Sequence, residues 1–469
     1  MSLNLPGFYY DPDRNRYFPI SSLPPGTPIP PTKINAPSTS SSDSTDASSS
    51  ASCSRRKRQK TGAGAGAGAA LSSRPSLRPS RSQAFRGLMY PARSNPSISF
   101  AERSHIAHQI ETHAISRTRL RSQEELPLGP GCRLTALAVQ DDPDGYQVAG
   151  DDRGWLFVGQ PQPTSASNGS ASQNENDLGH FDDSGVHISP MRWFCDMGLM
   201  TKITAISLIQ DRFFVSSFGP HAKILVGALD TTEETDISAF ILEPAKAYDM
   251  WAAVFETDGR TGSATLGLHK KAMFIQDLDN RMSTRSLNTG SDVMTVCKRQ
   301  NLVYTGERSG TVRLFDLRSE HGSTGSPLVK MNTMATNVEV YRDWEIIVAA
   351  AAGDLESYDM RFMKTEQGDK TRSLLKFNGH KNTYMHDLGF AVLLSGDFVV
   401  AAGIDRRVRA WSTRTGEQVT SSNTELPDGL LSTAPADGDI LTICATDGNL
   451  WHTCDRTVRH FEIGSARRQ

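Results

Sequence analysis

The chain of 469 residues carries 50 basic and 52 acidic side chains, but they are unevenly distributed. Residues 1–120 hold 16 Lys and Arg against 6 Asp and Glu, whereas the remaining residues hold 34 against 46. A basic arm rich in Ser and Pro therefore precedes an acidic body that is long enough for a large core. The sequence has no apolar run that could span a bilayer and no C-x-x-C pair. We therefore expect a soluble, intracellular protein without structural zinc, disulfides or other cofactors.

Residues 1–20 are denser in aromatic side chains than the segments that follow them. The turn sequence Asp11-Pro12-Asp13 separates two aromatic groups and predicts a miniature hairpin, which is too short to be stable alone. We interpret the segment as a docking motif for a partner surface; a disordered tail is the alternative. The candidate docking residues are Phe8, Tyr9, Tyr10, Tyr17 and Phe18.

Residues 21–97 form an arm rich in Ser, Pro and Gly, which we predict to be disordered because it has little apolar surface to bury. A basic cluster inside the arm suits the groove of a nuclear import receptor; a solvated run of charge is the alternative. The cluster comprises Arg55, Arg56, Lys57, Arg58 and Lys60. It predicts a nuclear protein and leaves a further cytoplasmic fraction open.

Residues 98–120 are predicted to contain one short helix. Ser99 and Glu102 fit a capping box, S-x-x-E, at its start. The predicted apolar face comprises Ile106, Ile110 and Ala114, with His113 beside it. The spacing of His105, His108 and His113 is poor for converging on one metal ion, so we interpret the segment as a solvated or docking helix.

The remainder of the chain repeats one unit of short strands. The stretch Asn301–Arg318 reads as an apolar run, a Gly-bearing turn and an alternating strand, and it returns at residues 345–361, 399–414 and 452–463. The anchor aromatics of these units are spaced by 43, 53 and 50 residues: Phe315, Tyr358, Trp411 and Phe461. A period of this size, with several strands per unit, predicts a β-propeller of the WD40 kind.

Three further units precede these four, so the predicted fold is all-β: a seven-bladed WD40-type β-propeller over residues 131–466. A largely disordered N-terminal arm with one short helix comes before it. Closure of such a ring usually requires one blade to borrow a strand from the other end of the chain, which protects the open edges.

The sixth unit resembles the WD40 repeat signature most closely. It has Gly379-His380, then Asp405 in a turn, then Trp411, and Asp455 lies at the equivalent spacing in the seventh unit. The resemblance implies that His, turn Asp and strand Trp form a structural hydrogen-bond network. Ser309 and Ala352 replace the turn Asp in units four and five, so we expect an absent or altered network there.

Two consecutive units carry a W-D-x-R type box in which Phe or Tyr replaces Trp: Phe315-Asp316-Leu317-Arg318 and Tyr358-Asp359-Met360-Arg361. This tandem arrangement resembles WD40 substrate receptors of the cullin-4 RING ubiquitin ligase. The resemblance implies that the damaged-DNA-binding adaptor is bound by Asp316, Arg318, Asp359 and Arg361. Arg414 is a lower-ranked candidate because Ser412 takes the place of Asp in its box.

The opening sequence LPGFYYDPDRNRYF also resembles one subgroup of these receptors, the fourth-type associated factors. The expected function is therefore a non-catalytic receptor that bridges the adaptor to an unknown substrate protein. Receptors of this class often add an N-terminal helix that docks on the adaptor, and residues 98–117 fit that part.

Other functions remain open from the sequence. The first is a general WD40 scaffold in a nuclear complex for RNA processing or chromatin. Direct nucleic-acid binding through the basic arm is less favoured; it would weaken steeply with salt. The sequence contains no G-x-S-x-G, H-E-x-x-H or P-loop motif, so it does not predict an enzyme.

Overall fold

The computed structural model describes residues 8–11, 16–19, 99–140, 145–161, 191–229, 237–259, 261–280, 282–319, 324–363, 371–393, 396–421, 429–446 and 448–464. Strands β1 (Phe8–Asp11) and β2 (Arg16–Pro19) pair antiparallel, as the sequence predicts for this segment. They belong to a unit, residues 1–75, that is separate from the rest of the chain. The basic cluster Arg55–Lys60 lies outside the described residues.

The described residues from 99 onward form one α-helix, α1 (Phe100–Ser116), and seven antiparallel sheets of four strands each, the blades. Blade 1 contains β4 (Leu134–Val139), β5 (Gln147–Asp151), β6 (Trp155–Pro161) and β7 (Met191–Gly198). Blade 2 contains β8 (Ile203–Ile209), β9 (Arg212–Ser217), β10 (Ile224–Leu229) and β11 (Ile237–Leu242). Blade 3 contains β12 (Ala252–Thr257), β13 (Gly262–Leu268), β14 (Lys271–Ile275) and β15 (Thr284–Asn288).

The repeated units of the sequence form the last four blades. Blade 4 contains β16 (Val293–Arg299), β17 (Leu302–Glu307), β18 (Thr311–Asp316) and β19 (Ser326–Lys330). Blade 5 contains β20 (Ala335–Arg342), β21 (Glu345–Ala350), β22 (Leu355–Asp359) and β23 (Leu375–Lys376). Blade 6 contains β24 (Phe390–Leu393), β25 (Phe398–Ala402), β26 (Val408–Ser412) and β27 (Gln418–Val419). Blade 7 contains β28 (Ile443–Thr446), β29 (Asn449–Cys454), β30 (Thr457–Glu462) and β3 (Arg119–Glu125).

The anchor aromatics of the repeat hold the same place in each blade, because each lies in the third strand and is buried. Their exposed fractions are 3% or less for Phe315, Tyr358, Trp411 and Phe461. The turn before the first of these strands ends at Gly310, whose φ of +82° favours glycine. A Cβ at this position would lie 2.4 Å from the carbonyl oxygen of Thr333, which fixes the close approach of two blades.

The ring closes through β3, which comes from the N-terminal side of the chain and is the outer strand of blade 7. It pairs antiparallel with β30, from Arg119 opposite Glu462 to Glu125 opposite Thr457. A borrowed strand is predicted by the sequence, but the predicted propeller start at residue 131 omits it. The strand sequence RLRSQEE is polar and mostly half-exposed, so it lacks the alternating apolar pattern by which a strand is recognised.

Helix α1 begins with the predicted capping box, in which the Ser99 side chain accepts the N–H of Glu102 and the Glu102 side chain accepts the N–H of Ser99. Its buried face differs from the predicted one: the buried residues are Ala107, His108, Glu111, Ala114 and Ile115. Ile106 and Ile110 are only half-buried. Among the described residues, no helix is long and apolar enough to cross a membrane.

The meander of each blade defines two faces of the ring. We call the lower face the one that carries the turns between first and second strands and the connections between third and fourth strands. The upper face carries the turns between second and third strands and the connections from blade to blade. Residues 162–190, between β6 and β7, lie outside the described residues.

Candidate functional site

Two matching Asp-x-Arg boxes lie on the lower face of blades 4 and 5, where the third strand ends. In blade 4, Asp316 accepts hydrogen bonds from Arg318 Nε at 3.0 Å, Nη2 at 2.7 Å and the backbone N–H at 2.9 Å. In blade 5, Asp359 accepts the same three bonds from Arg361 at 2.9, 2.6 and 3.0 Å. Each carboxylate thus holds its guanidinium as a bidentate partner in one orientation.

The backbone of each box is fixed by the first turn of its own blade. The N–H of Leu317 donates to the carbonyl oxygen of Asn301, and that of Met360 donates to the carbonyl oxygen of Trp344, both at 2.8 Å. In blade 4, Arg285 of the neighbouring blade also binds the carbonyl oxygen of Leu317 at 2.5 Å. The two arginines are therefore presented from anchored turns.

The arginines of the boxes are charged, ordered and exposed. Hydrogen bonds from Arg318 lower the pKa of Asp316 to about 2, and hydrogen bonds from Arg361 likewise lower the pKa of Asp359. The side chains of Arg318 and Arg361 are nevertheless 70% and 54% exposed. Exposed ion pairs contribute little to folding stability. A fixed guanidinium on an accessible surface is instead suited to anchor a partner, because its side chain loses little further conformational entropy on binding.

Two large aromatic side chains accompany the boxes on the lower face of blade 5. Trp344 lies in the first turn and is 56% exposed, and Phe362 follows the box and is 76% exposed. The guanidinium of Arg361 lies 5.6 Å from the centroid of the Phe362 ring. Neither residue was predicted from the sequence; the available signal was a Trp or Phe within an otherwise polar turn, YRDWE and DMRF. Exposed aromatics beside arginine are typical of interface hot spots.

The third predicted box differs from the other two because Arg414 is engaged by α1. Its Nε binds Asp397 at 3.0 Å and its Nη1 binds Ser104 Oγ at 2.8 Å. Ser412 Oγ lies 2.8 Å from His108 Nε2, and the His108 ring stacks on Phe398 at 5.0 Å. Arg414 therefore holds the helix to blade 6, and only 33% of its side chain is exposed.

The predicted WD40 network in blade 6 is not continuous. Asp405 binds Arg409 Nη1 at 2.9 Å and Nη2 at 2.5 Å, instead of His380. Trp411 Nε1 and the His380 ring bind backbone carbonyl oxygens at 2.8 and 3.3 Å. The arginine two residues before the strand Trp attracts the turn carboxylate more strongly than a histidine whose burial lowers its pKa.

Carboxylate residues also occur at the equivalent turns of blades 4 and 7. In blade 4, buried Glu307 accepts hydrogen bonds from Arg313 at 2.6 Å and from Ser309 at 2.8 Å, so an altered network replaces the standard one. Burial raises the pKa of Glu307. In blade 7, Asp455 is exposed and has a φ of +48°. Its N–H donates to the carbonyl oxygen of Asp439 at 3.4 Å.

One group of possible metal ligands occurs in the described part of the chain: Cys132, Asp151 and Asp152, whose ligand atoms lie within 4.8 Å of one another. Asp151 Oδ1 already accepts the N–H groups of Arg153 at 3.0 Å and Trp155 at 2.7 Å. The carboxylate therefore closes the turn between β5 and β6, which accounts for its position. The helix histidines do not converge either, because His108 contacts Ser412.

Comparison with known proteins shows the fold and two partial relatives. The propeller superposes on the WD40 β-propeller domain of Doa1 with a TM-score of 0.51 at 15% identity, over 75% of this chain and 98% of that structure. The fold is a WD40 β-propeller. At this identity the likeness concerns the fold alone.

The sequence relatives match only part of this chain. DDB1- and CUL4-associated factor 4 of Bos taurus is 28% identical over 138 residues, which cover 28% of this chain and 26% of the relative. WD repeat-containing protein 21 of Schizosaccharomyces pombe is 25% identical over 164 residues, which cover 34% of this chain and 37% of the relative. The chain thus matches roughly a quarter to a third of the length of these relatives, and no family model matches it.

Proposed function

We propose that this WD40 propeller is a non-catalytic substrate receptor of a cullin-4 RING ubiquitin ligase. The observation that carries the proposal is the pair of exposed, carboxylate-fixed arginines, Arg318 and Arg361, which have the same geometry in adjacent blades. The similarity to a DDB1- and CUL4-associated factor of Bos taurus supports the same assignment.

The lower face of blades 4 and 5 is the proposed surface for the damaged-DNA-binding adaptor. It combines two donor forks with two exposed aromatics, Trp344 and Phe362, and this combination of Arg and aromatic side chains is enriched in interface hot spots. Helix α1 lies on the same face beside blade 6, and its outward side chains include His105, Gln109 and His113. We assign α1 a secondary contact with the adaptor.

A receptor of this kind acts by proximity. Holding a target lysine near a charged conjugating enzyme raises its effective concentration, so no catalytic residue is needed on the propeller. The upper face stays free for a substrate protein while the lower face holds the adaptor. Import through the basic arm would place the complex in the nucleus, and the aromatic hairpin at residues 8–19 would supply a further docking element.

The test is a binding assay between the purified ligase adaptor and the full chain. We expect the double variant Arg318→Ala plus Arg361→Ala to lose at least about 100-fold in affinity, because each anchor carries hot-spot energy. The matched control is Arg153→Ala plus Arg308→Ala, which removes two exposed arginines from the upper face. Circular dichroism verifies that both variants fold.

Three outcomes decide between the functions. Loss of binding in the lower-face variant alone supports the receptor. No binding of the intact chain at micromolar concentration rejects the ligase and leaves a general protein-interaction scaffold. Binding that survives the double variant retains the ligase but moves the interface, with α1 as the next segment to test.

A further inference from the structure

A pocket of about 270 Å³ lies between blades 6 and 7. Its walls come from β26, β30, β3 and the connection that follows β27, and they include Val408, Ile440 and Phe461. The pocket is bordered by the upper-face turn that contains Arg406 and Arg407. It is at the small end of ligand pockets, so it suits one or two side chains better than a large cofactor.

The charges that line this pocket are unbalanced. Three arginines face one carboxylate: Arg406, Arg407 and Arg459 against Asp437. Arg459 Nη2 binds Asp437 at 3.1 Å, but Asp437 is 94% exposed. Arg406 is held by Asp439 at 3.3 Å, outside the lining.

Arg407 differs from Arg406 and Arg459 in its contacts. In the described part of the chain it has no carboxylate partner, and its Nε is shielded from solvent without a hydrogen bond. The Nε of Arg459 is likewise shielded from solvent without a hydrogen bond. Shielding a guanidinium without a partner is costly, and a bound carboxylate would offset that cost through bidentate bonds.

Histidine does not add to the charge of the pocket at neutral pH. His452 lines the same wall and is 3% exposed. Burial lowers its pKa to about 4, so it is neutral at pH 7. The positive charge therefore comes from the arginines and persists at all physiological pH values.

We infer that this pocket binds an acidic side chain of a substrate protein, with a neighbouring apolar side chain against Val408, Ile440 and Phe461. The inference rests on the proposed function in that the bound peptide belongs to the ligase substrate. The guanidinium fork selects a carboxylate, and the apolar walls favour a residue such as Leu beside it. Adaptor and peptide would occupy different blades and bind together.

The test uses the full chain and two peptides with blocked ends, Gly-Ser-Leu-Glu-Ser-Gly and its Gln counterpart, so that the acidic side chain is the sole difference in charge. Binding is measured by ligand-observed NMR titration without the adaptor. We expect the Glu peptide to bind about tenfold more tightly than the Gln peptide, from charge-assisted hydrogen bonds. Arg407→Ala should remove this preference, and Arg407→Lys should restore only part of it.

The matched control is Arg153→Ala, which removes an exposed upper-face arginine of blade 1 and should keep the preference. Glu425 and Asp428 lie outside the described residues and close in sequence to the pocket, so the titration is repeated with Glu425→Gln plus Asp428→Asn. Equal binding of both peptides in both backgrounds, or a preference that survives Arg407→Ala, overturns the inference. Either result leaves adaptor binding at Arg318 and Arg361 untouched, so the two proposals fail separately.

Discussion

Arg318 and Arg361 are each held by an aspartate two residues earlier, and this local pairing separates them from ordinary surface arginines. The carboxylate fixes the orientation of the guanidinium, and it also accepts the backbone N–H of the same arginine. A partner then binds a guanidinium whose side-chain entropy is already lost. Removing the aspartate tests this account because it leaves the arginine in place.

We expect Asp359→Ala to weaken adaptor binding by about three- to tenfold, which corresponds to the cost of immobilising one long side chain. Arg361→Lys should cost more than Asp359→Ala, since it removes the planar guanidinium, including the N–H groups that Asp359 does not bind. Calorimetric titration with the adaptor measures both. Equal affinity of Asp359→Ala and wild type would show that the carboxylate has no presenting role.

The exposed aromatics of blade 5 give a second prediction at this scale. Trp344→Ala and Phe362→Ala should each lower adaptor affinity by about 30-fold and leave the melting temperature unchanged, because both side chains are more than half exposed. Tyr384→Ala serves as the control, since Tyr384 is 71% exposed on the upper face. An equal loss in all three variants would mean that the effect is not specific to the lower face.

Helix α1 is the element that precedes β3 and packs on the ring. It occupies the lower face of blade 6 through His108 and Ser104, and Ile115 is buried in the core beside Phe461. Because Arg414 binds the docked helix, it is not available to a partner in the way that Arg318 and Arg361 are. The helix thereby limits the exposed anchors to blades 4 and 5 and contributes a new surface next to them.

Docking of α1 should depend on pH through His108. Burial, and then the charge of Arg414, lowers the pKa of His108 below its ordinary value of 6.5. Above pH 6.5 the docked and undocked helices both carry a neutral ring, so docking has its full strength. As the pH falls below 6.5, the undocked helix takes up a proton that the docked helix rejects, and docking weakens.

Hydrogen exchange of residues 100–116 at pH 7.5 and pH 5.5, corrected for the intrinsic rate, measures this dependence. We expect protection of α1 relative to blade 4 to fall at the lower pH. His108→Gln cannot titrate and should show the same relative protection at both values. A pH effect that persists in His108→Gln would assign it to another group.

At the scale of the whole molecule, the ring depends on β3 for closure. Besides its ladder with β30, β3 meets blade 1, because Trp193 Nε1 donates to Glu124 at 2.8 Å. A chain that begins at residue 99 keeps every strand of the seven blades, whereas one that begins at residue 127 exposes the edge of blade 7.

We expect the longer of these chains to unfold in one transition, and the shorter one to aggregate or to lose about 10 °C or more in melting temperature. Differential scanning calorimetry and light scattering compare the two. Matching melting temperatures would mean that β3 is dispensable for the ring.

The ring was predictable from sequence because its information is local and repeated. Phe315, Trp411 and the short turns before them recur at a nearly constant period, and each marks a buried third strand. The strand β3 was not predictable in this way, because its polar residues form a strand only by pairing with β30, which is distant in sequence. The buried face of α1 was mispredicted for a similar reason. Histidine is a polar residue type, but in the fold His108 is buried and its ring stacks on Phe398.

The candidate site was predictable in part. The Asp-x-Arg spacing identified both boxes because the contact spans two residues and needs no tertiary information. The capture of Arg414 by Ser104 joins residues 310 positions apart, and only the fold brings them together. Trp344 reaches the same surface from a separate turn, so no linear motif includes it.

The central claim is that the adaptor binds the lower face of blades 4 and 5, and a hydrogen-exchange footprint of the complex tests it most directly. We predict protection of residues 299–302, 316–319, 342–345 and 359–363 on adding the adaptor. The upper-face turns at residues 152–154 and 403–407 should exchange as in the free chain. Protection of the upper-face turns with no change at residues 316–319 and 359–363 would contradict the account.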